Sequence, residues 1–191
     1  QYWEKGALSQ EYNDHSYMED EDNQNEDQAS LNDYLYKEVL CDFNPNDLRE
    51  NDTKFNKFLS LIKELLEKNP SEKILVFSFF LRTVSYLEER LSEEGIASMT
   101  LIGGMNKSEV IDKFRTDNKA KILICSDSAS EGVDLQFMHI LINYDLPYNP
   151  MRIEQRIGRL DRYGQKSKQI IIWNLFHKGT VDEKIYSRLI N

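Results

Sequence analysis

The sequence predicts an α/β fold with a mostly parallel sheet covered by helices on both faces. Three observations carry this. Short apolar runs (KILVFSF, KILIC, HILINY and QIIIWNL) recur along the chain. Segments with apolar residues at helical spacing lie between them. Asn, Gly and Pro punctuate the joins. A strand buried on both faces has no polar side to alternate with, and this is the pattern of a parallel sheet between helix layers. No repeat of about 20–50 residues occurs, which argues against a solenoid.

Residues 1–50 stand apart as an acidic, partly helical N-terminal connector. Met18–Gln28 (MEDEDNQNEDQ) is polar and anionic, a composition unable to build a core. Ser30 is placed to cap a short helix with Leu31, Tyr34, Leu35 and Val39 on one face. Asn44-Pro45-Asn46 then reads as a turn.

From residue 51 to 191 the pattern is regular. Phe55, Phe58, Leu59, Ile62, Leu65 and Leu66 form the apolar face of a helix. Asp52 or Thr53 caps it and Asn69-Pro70 stops it. Lys73–Phe79 is a strand, and Leu81–Glu94 a helix ending at Gly95. Ile96–Ile102 is a strand, Lys107–Arg115 a short helix, and Lys121–Cys125 and His139–Tyr144 are strands. Pro150–Arg162 reads as one helix, with Asn149 at the cap and Pro150 at its first position. Gln169–Leu175 is a strand and Val181–Ile190 a closing helix.

Composition narrows the function. The net charge of −9 weighs against a nucleic-acid partner, but its distribution reverses that reading. Residues 1–50 hold 14 acidic and three basic side chains, whereas residues 51–191 hold 19 acidic and 21 basic. Arg152–Lys178 alone carries seven basic side chains against two acidic ones. Whole-chain charge therefore hides a basic cluster. Two cysteines, Cys41 and Cys125, make no disulfide scaffold. No apolar run reaches the roughly 18–20 residues of a membrane span. The start, QYWEKGALSQ, lacks a basic and then apolar leader pattern, so a cytoplasmic protein is expected.

In open parallel sheets, ligands gather at the loops after the strands' carboxyl ends. Four such loops are Ser78–Leu81, Gly103–Asn106, Ser126–Asp134 and Asp145–Pro150. In QRIGRLDR (Gln155–Arg162), a continuous helix would place Gln155, Arg159 and Arg162 on one stripe. Two permanently charged guanidinium forks beside Gly158 suit phosphate oxygens better than a solvated face. SDSASEGVDLQF (Ser126–Phe137) supplies hydroxyls, a glycine and two carboxylates, a composition that can present N–H groups to phosphate and Asp134 to a sugar hydroxyl.

Together the motifs resemble a known family. They are ILVFSFF (Ile74–Phe80), LIGGM (Leu101–Met105), ICSDSASEGVDL (Ile124–Leu135), NYDLPYNP (Asn143–Pro150), QRIGRLDRYGQK (Gln155–Lys166) and GTVDEKI (Gly179–Ile185). In this order they are similar to the second, C-terminal RecA-like lobe of superfamily 2 helicases, within the Swi/Snf-type ATPases and nearest their bacterial RapA-type branch. The resemblance covers about Thr53–Asn191 and implies a three-layer α/β/α RecA-like lobe. It implies a role for Arg159 and Arg162 as the arginine fingers that reach ATP across an interlobe cleft, with Gln155 at the same cleft. Gly132 and Asp134 match the motif that touches the nucleotide sugar. Ser78, Phe79, Gly103 and Ser126 match positions facing the nucleic-acid backbone, and Lys107 stands where a family arginine is missing.

The resemblance also implies partners: the N-terminal lobe of the same polypeptide, nucleic acid (duplex DNA first), and RNA polymerase or another DNA-bound protein. No GxxxxGK[ST] loop occurs; Gly164-Gln165-Lys166-Ser167 lacks its spacing and precedes a strand. ATP and Mg²⁺ would accordingly be held mainly by the first lobe, leaving this fragment inactive alone. Metal-ligand spacing is absent from His15, His139 and His177, and Asp182-Glu183 reads as a helix-start pair. Two other readings stay open: a lobe of an RNA or single-strand helicase, and a stand-alone binding module.

Overall fold

Strand burial alternates between two cores, and this fixes the layering. The computed structural model describes residues 49, 51–147, 149–180, 183, 184, 186 and 187. The acidic run, the helix expected after Ser30 and most of the closing helix Val181–Ile190 lie outside the described residues. Chain order is α1 (Thr53–Lys68), β1 (Ile74–Ser78), α2 (Leu81–Glu93), β2 (Ser98–Leu101), α3 (Lys107–Thr116), β3 (Ile122–Ser126), α4 (Asp127–Ser130), β4 (Ile140–Asn143), α5 (Pro150–Ile157) and β5 (Ile171–Asn174).

The five strands form one sheet in the order β2-β3-β1-β4-β5, with every pair parallel. Ile74, Val76, Ile122, Ile124, Ile140 and Ile142 point to one face, where Phe55, Phe58 and Ile62 of α1 and Val84, Leu87 and Leu91 of α2 cover them. Leu75, Phe77, Leu123, Cys125 and Leu141 point to the other, under Ile111 and Phe114 of α3 and the chain from Ala129 to Met138. The fold is thus the three-layer α/β/α arrangement expected. Register sets Ser78 beside Ser126 and Phe77 beside Asn143, so three strands end level at one carboxyl edge.

Local signals position the helices. Asp52 caps α1: its carboxylate accepts from Phe55 N at 2.8 Å. The other oxygen accepts from the Tyr86 hydroxyl at 2.7 Å, and Arg90 donates to that hydroxyl at 2.8 Å. Burial and the Asp52 hydrogen bond push Tyr86 up to about 12. Between about pH 10 and 12 the folded state therefore keeps a proton that the unfolded chain loses, so stability falls as pH rises there. Urea unfolding at several alkaline pH values should show this fall, and Tyr86→Phe should flatten it.

A second tie was not legible in sequence. Lys73 Nζ donates to the carbonyls of Phe114, Asp117 and Ala120 at 2.6, 2.8 and 3.0 Å, capping α3 from the start of β1.

One predicted element is corrected. The helix after Pro150 ends at Ile157, not at Arg162. A β-carbon on Gly158 would sit 3.3 Å from Glu154 O, so glycine permits the tight close of the helix. The chain then turns through Arg159 N→Arg156 O and Leu160 N→Ile157 O. Leu160 drops fully into the second core. The Arg159 carbonyl accepts from Leu135 N instead of continuing the helix.

Candidate functional site

The carboxyl edge of the sheet is organised around a buried arginine. Arg156, on α5, is 2% exposed. Its Nε donates to Asp127 Oδ1 at 2.7 Å, and Nη2 lies 2.7 Å from the same oxygen. Nη1 donates to Asn143 Oδ1 at 2.6 Å and to Asp145 O at 3.1 Å. The guanidinium also stands 4.9 Å over the Phe77 ring. One side chain thereby joins the exits of β3 and β4 to α5. Burial raises the Asp127 pKa, and Arg156 pulls it back toward the charged form. Arg152 adds a second, more exposed contact to Asp127 Oδ2 at 3.4 Å.

Asp145 extends the network. Its two carboxylate oxygens accept from Ser78 Oγ at 2.6 Å and Lys54 Nζ at 3.0 Å. Ser78, Ser126 and Asn143 are all fully buried. Ser78 and Ser126, at positions expected to face a nucleic-acid backbone, have no exposed surface in this lobe. The Ser78 hydroxyl instead braces Asp145, and Ser126 Oγ lies 3.4 Å from Ser128 Oγ.

Lys107 is likewise occupied. Its Nζ donates to Ser128 O at 3.3 Å and Glu131 O at 3.0 Å, closing the carboxyl end of α4. Phe79 is half-buried and stacks edge-on against Phe80, which is 57% exposed. Gly103 is exposed, and a β-carbon there would lie 3.6 Å from Ser128 Oγ. The loop after α4 exposes Gly132, whose φ is +75°, and Asp134, whose Oδ1 accepts from Gln136 N at 3.2 Å.

A small cleft between α4 and α5 is lined by Asp127, Glu131, Arg152, Gln155, Arg156 and Arg159. Gln155 and Arg159 both line it, and a turn rather than a helix carries Arg159. No side-chain hydrogen bond or ion pair occupies the Arg159 guanidinium among the described residues. Arg162 does not line this cleft; it is exposed and donates through Nε to Gly158 O at 3.0 Å. The common stripe predicted for Gln155, Arg159 and Arg162 is therefore lost with the last helical turn.

A broader groove of about 600 Å³ runs along α1 beside Leu59, Lys63, Glu64 and Glu67. It is a surface feature: Lys63 pairs with Glu94 and Glu64 with Lys68, and none of the motif loops reaches it.

Sequence reasoning missed Arg156 as the organising residue. It counted as one of several basic side chains, and only its place against the Asp127 carboxylate and the Asp145 carbonyl marks it as buried. No His, Cys, Asp and Glu grouping suited to a metal ion occurs among the described residues. No helix among the described residues is long and apolar enough to cross a membrane.

Comparison with known proteins agrees with this fold. The model of the Helicase conserved C-terminal domain matches residues 54–164. The chain is 40% identical over 127 residues to the uncharacterized ATP-dependent helicase YqhH of Bacillus subtilis, covering 65% of this chain and 22% of that protein. It is 39% identical over 120 residues to the RNA polymerase-associated protein RapA of Photobacterium profundum, covering 59% of this chain and 12% of that protein. The chain thus spans well under a third of these relatives' lengths. Among solved structures, the C-terminal part of the Fun30 ATPase domain superposes with a TM-score of 0.68 at 26% identity, covering 86% of this chain and 54% of that one. The Pyrococcus furiosus Hef helicase domain gives 0.60 at 25% identity, with 72% and 28% covered.

Proposed function

Because the chain belongs to the Helicase conserved C-terminal domain family, as a RecA-like lobe of a superfamily 2 helicase related to RapA and YqhH, we propose that it is the C-terminal ATPase lobe of a Swi/Snf-type enzyme that translocates along double-stranded DNA. The observation that carries the reading is the division of labour among neighbouring arginines. Arg156 is buried and committed to Asp127, while among the described residues no side-chain hydrogen bond or ion pair engages Arg159 at the cleft beside Gln155. A guanidinium fork beside a rigid scaffold is suited to an incoming phosphate.

Bound ATP supplies the transferable phosphoryl group. Arg159 and Arg162 bring positive charge to it across the interlobe cleft, and Gln155 lines the approach. The exposed loop with Gly132 and Asp134 meets the sugar. Interlobe closure sets when these groups arrive. Phe79 and Gly103 offer surface to the nucleic-acid backbone, while Ser78, Ser126 and Lys107 hold the loops from beneath. ATP and Mg²⁺ would be held mainly by the N-terminal lobe. The proposed partners are the N-terminal lobe of the same polypeptide, duplex DNA, and RNA polymerase or another DNA-bound protein, in the cytoplasm.

The division between lobes has a direct test. Residues 52–191 expressed alone should show no ATP turnover above background, with or without duplex DNA. Turnover by this fragment would overturn the assignment of the phosphate loop to the other lobe.

A further inference from the structure

The GQKS segment, Gly164–Ser167, is no phosphate loop, yet Gln165 is fully engaged. Its Nε2 donates to Met138 O at 2.8 Å and to Leu160 O at 3.0 Å. Its Oε1 accepts from Ser167 N at 2.9 Å. Both amide hydrogens and the carbonyl are thus spent on backbone. The two carbonyls it joins belong to different segments. Leu160 lies between Arg159 and Arg162 and is wholly buried; Met138 is 1% exposed and directly precedes the approach to β4, four residues after Asp134.

Two further contacts link the same segments. Leu135 N donates to Arg159 O at 3.1 Å. Gly164, at φ +103°, lies against the Gln136 amide, where a β-carbon would come within 3.0 Å of Oε1. The arginine turn is consequently tied to the chain that follows Asp134 by two hydrogen-bonded links, with Gly164 packed close to Gln136 beside them. Within the turn itself the restraints are backbone hydrogen bonds and the buried Leu160 side chain, and these contacts add ties to a second segment.

We propose that Gln165 is a positioning residue for the arginine fingers. By joining Leu160 to Met138, it makes the Arg159–Arg162 turn and the Asp134 loop one rigid unit, so that sugar and phosphate contacts keep their spacing during lobe closure. Gln165 touches no reacting atom. The inference rests on the arginine-finger reading given above.

The test uses the full-length protein with duplex DNA. Gln165→Met keeps the length of the side chain but removes both donors and the acceptor. Gln165→Glu keeps an acceptor for Ser167 N while turning a carboxylate oxygen toward two carbonyls. Each should lower kcat roughly 10- to 100-fold, the scale expected when reacting groups shift by about 1 Å. KM for ATP should stay within about twofold, because the first lobe holds most of the nucleotide. Melting temperature and circular dichroism show how much of each variant is folded.

Arg159→Ala is measured alongside. If Arg159→Ala abolishes turnover while Gln165→Met keeps the wild-type kcat, the positioning role is overturned and the finger reading stands. If Arg159→Ala has no effect, the finger reading falls and takes this inference with it. A kcat loss that only matches a loss of folded protein also overturns the positioning role; if Gln165→Glu fails to fold, the Met variant decides.

Discussion

Arg159→Ala in the full-length protein should lower ATP turnover by about 10³-fold or more while leaving ATP binding nearly intact. An arginine supplied to a transferring phosphoryl group contributes roughly 10³–10⁵ in rate, and 10³ corresponds to about 4 kcal/mol of transition-state stabilisation. The ground state loses little, because the phosphate loop and its lysine are expected in the other lobe. Arg159→Lys should recover little activity, since an ammonium lacks the planar fork. Arg162→Ala should have a similar effect on turnover. Arg162 currently donates to Gly158 O, a weak and exposed contact that lobe closure can exchange for phosphate. Single-turnover kinetics with a fluorescent nucleotide would separate binding from hydrolysis. Near-normal turnover in both alanine variants would contradict the finger assignment.

Asp127→Ala should destabilise the lobe by about 3–5 kcal/mol, the cost of leaving a buried charge without its partner. Arg156 is 2% exposed and has no route to solvent that keeps Phe77, Asn143 and Asp145 in place. For a domain of this size that loss lowers the melting temperature on the order of 10 °C. Arg156→Met should cost less than Asp127→Ala if the methionine packs on Phe77. Its remaining penalty comes from burying Asp127, which can protonate to escape its charge. The double variant Asp127→Ala/Arg156→Met should recover part of the single-variant loss, which a double-mutant cycle would measure. Additive effects would show that the pair is not coupled and that the edge network is not centred on it.

The sheet was legible in sequence because its strands are buried on both faces. KILIC and HILINY have no alternation to confuse, and each sits between helices with clear faces. The strand order was not legible, since β2 and β5 reach the edges through long-range pairing that no local pattern records. The start of helix α1 was legible to within one residue, Asp52 or Thr53, and the structure assigns the cap to Asp52. The end of α5 was misread for a different reason. Helical spacing continues through Arg159 and Arg162, but burial of Leu160 and the Leu135–Arg159 hydrogen bond overrule it. Tertiary pairing here outweighs a local period.

The site shows the same divide. Gln155 and Arg159 were singled out by their motif, although the helical stripe read from their spacing does not form. The roles of Arg156, Ser78 and Lys107 depend on which neighbour consumes each donor, and those neighbours lie 11 to 67 residues away. Gln165 looked like a broken motif because its function lies in two carbonyls with no sequence signature.

The central claim is that this lobe belongs to a duplex-driven ATPase. Its most direct measurement is steady-state ATP turnover by the full-length protein with blunt duplex DNA or with single-stranded RNA of equal length. The account predicts strong stimulation by the duplex and little by the RNA. Stimulation by RNA alone, or no turnover with either, would contradict it.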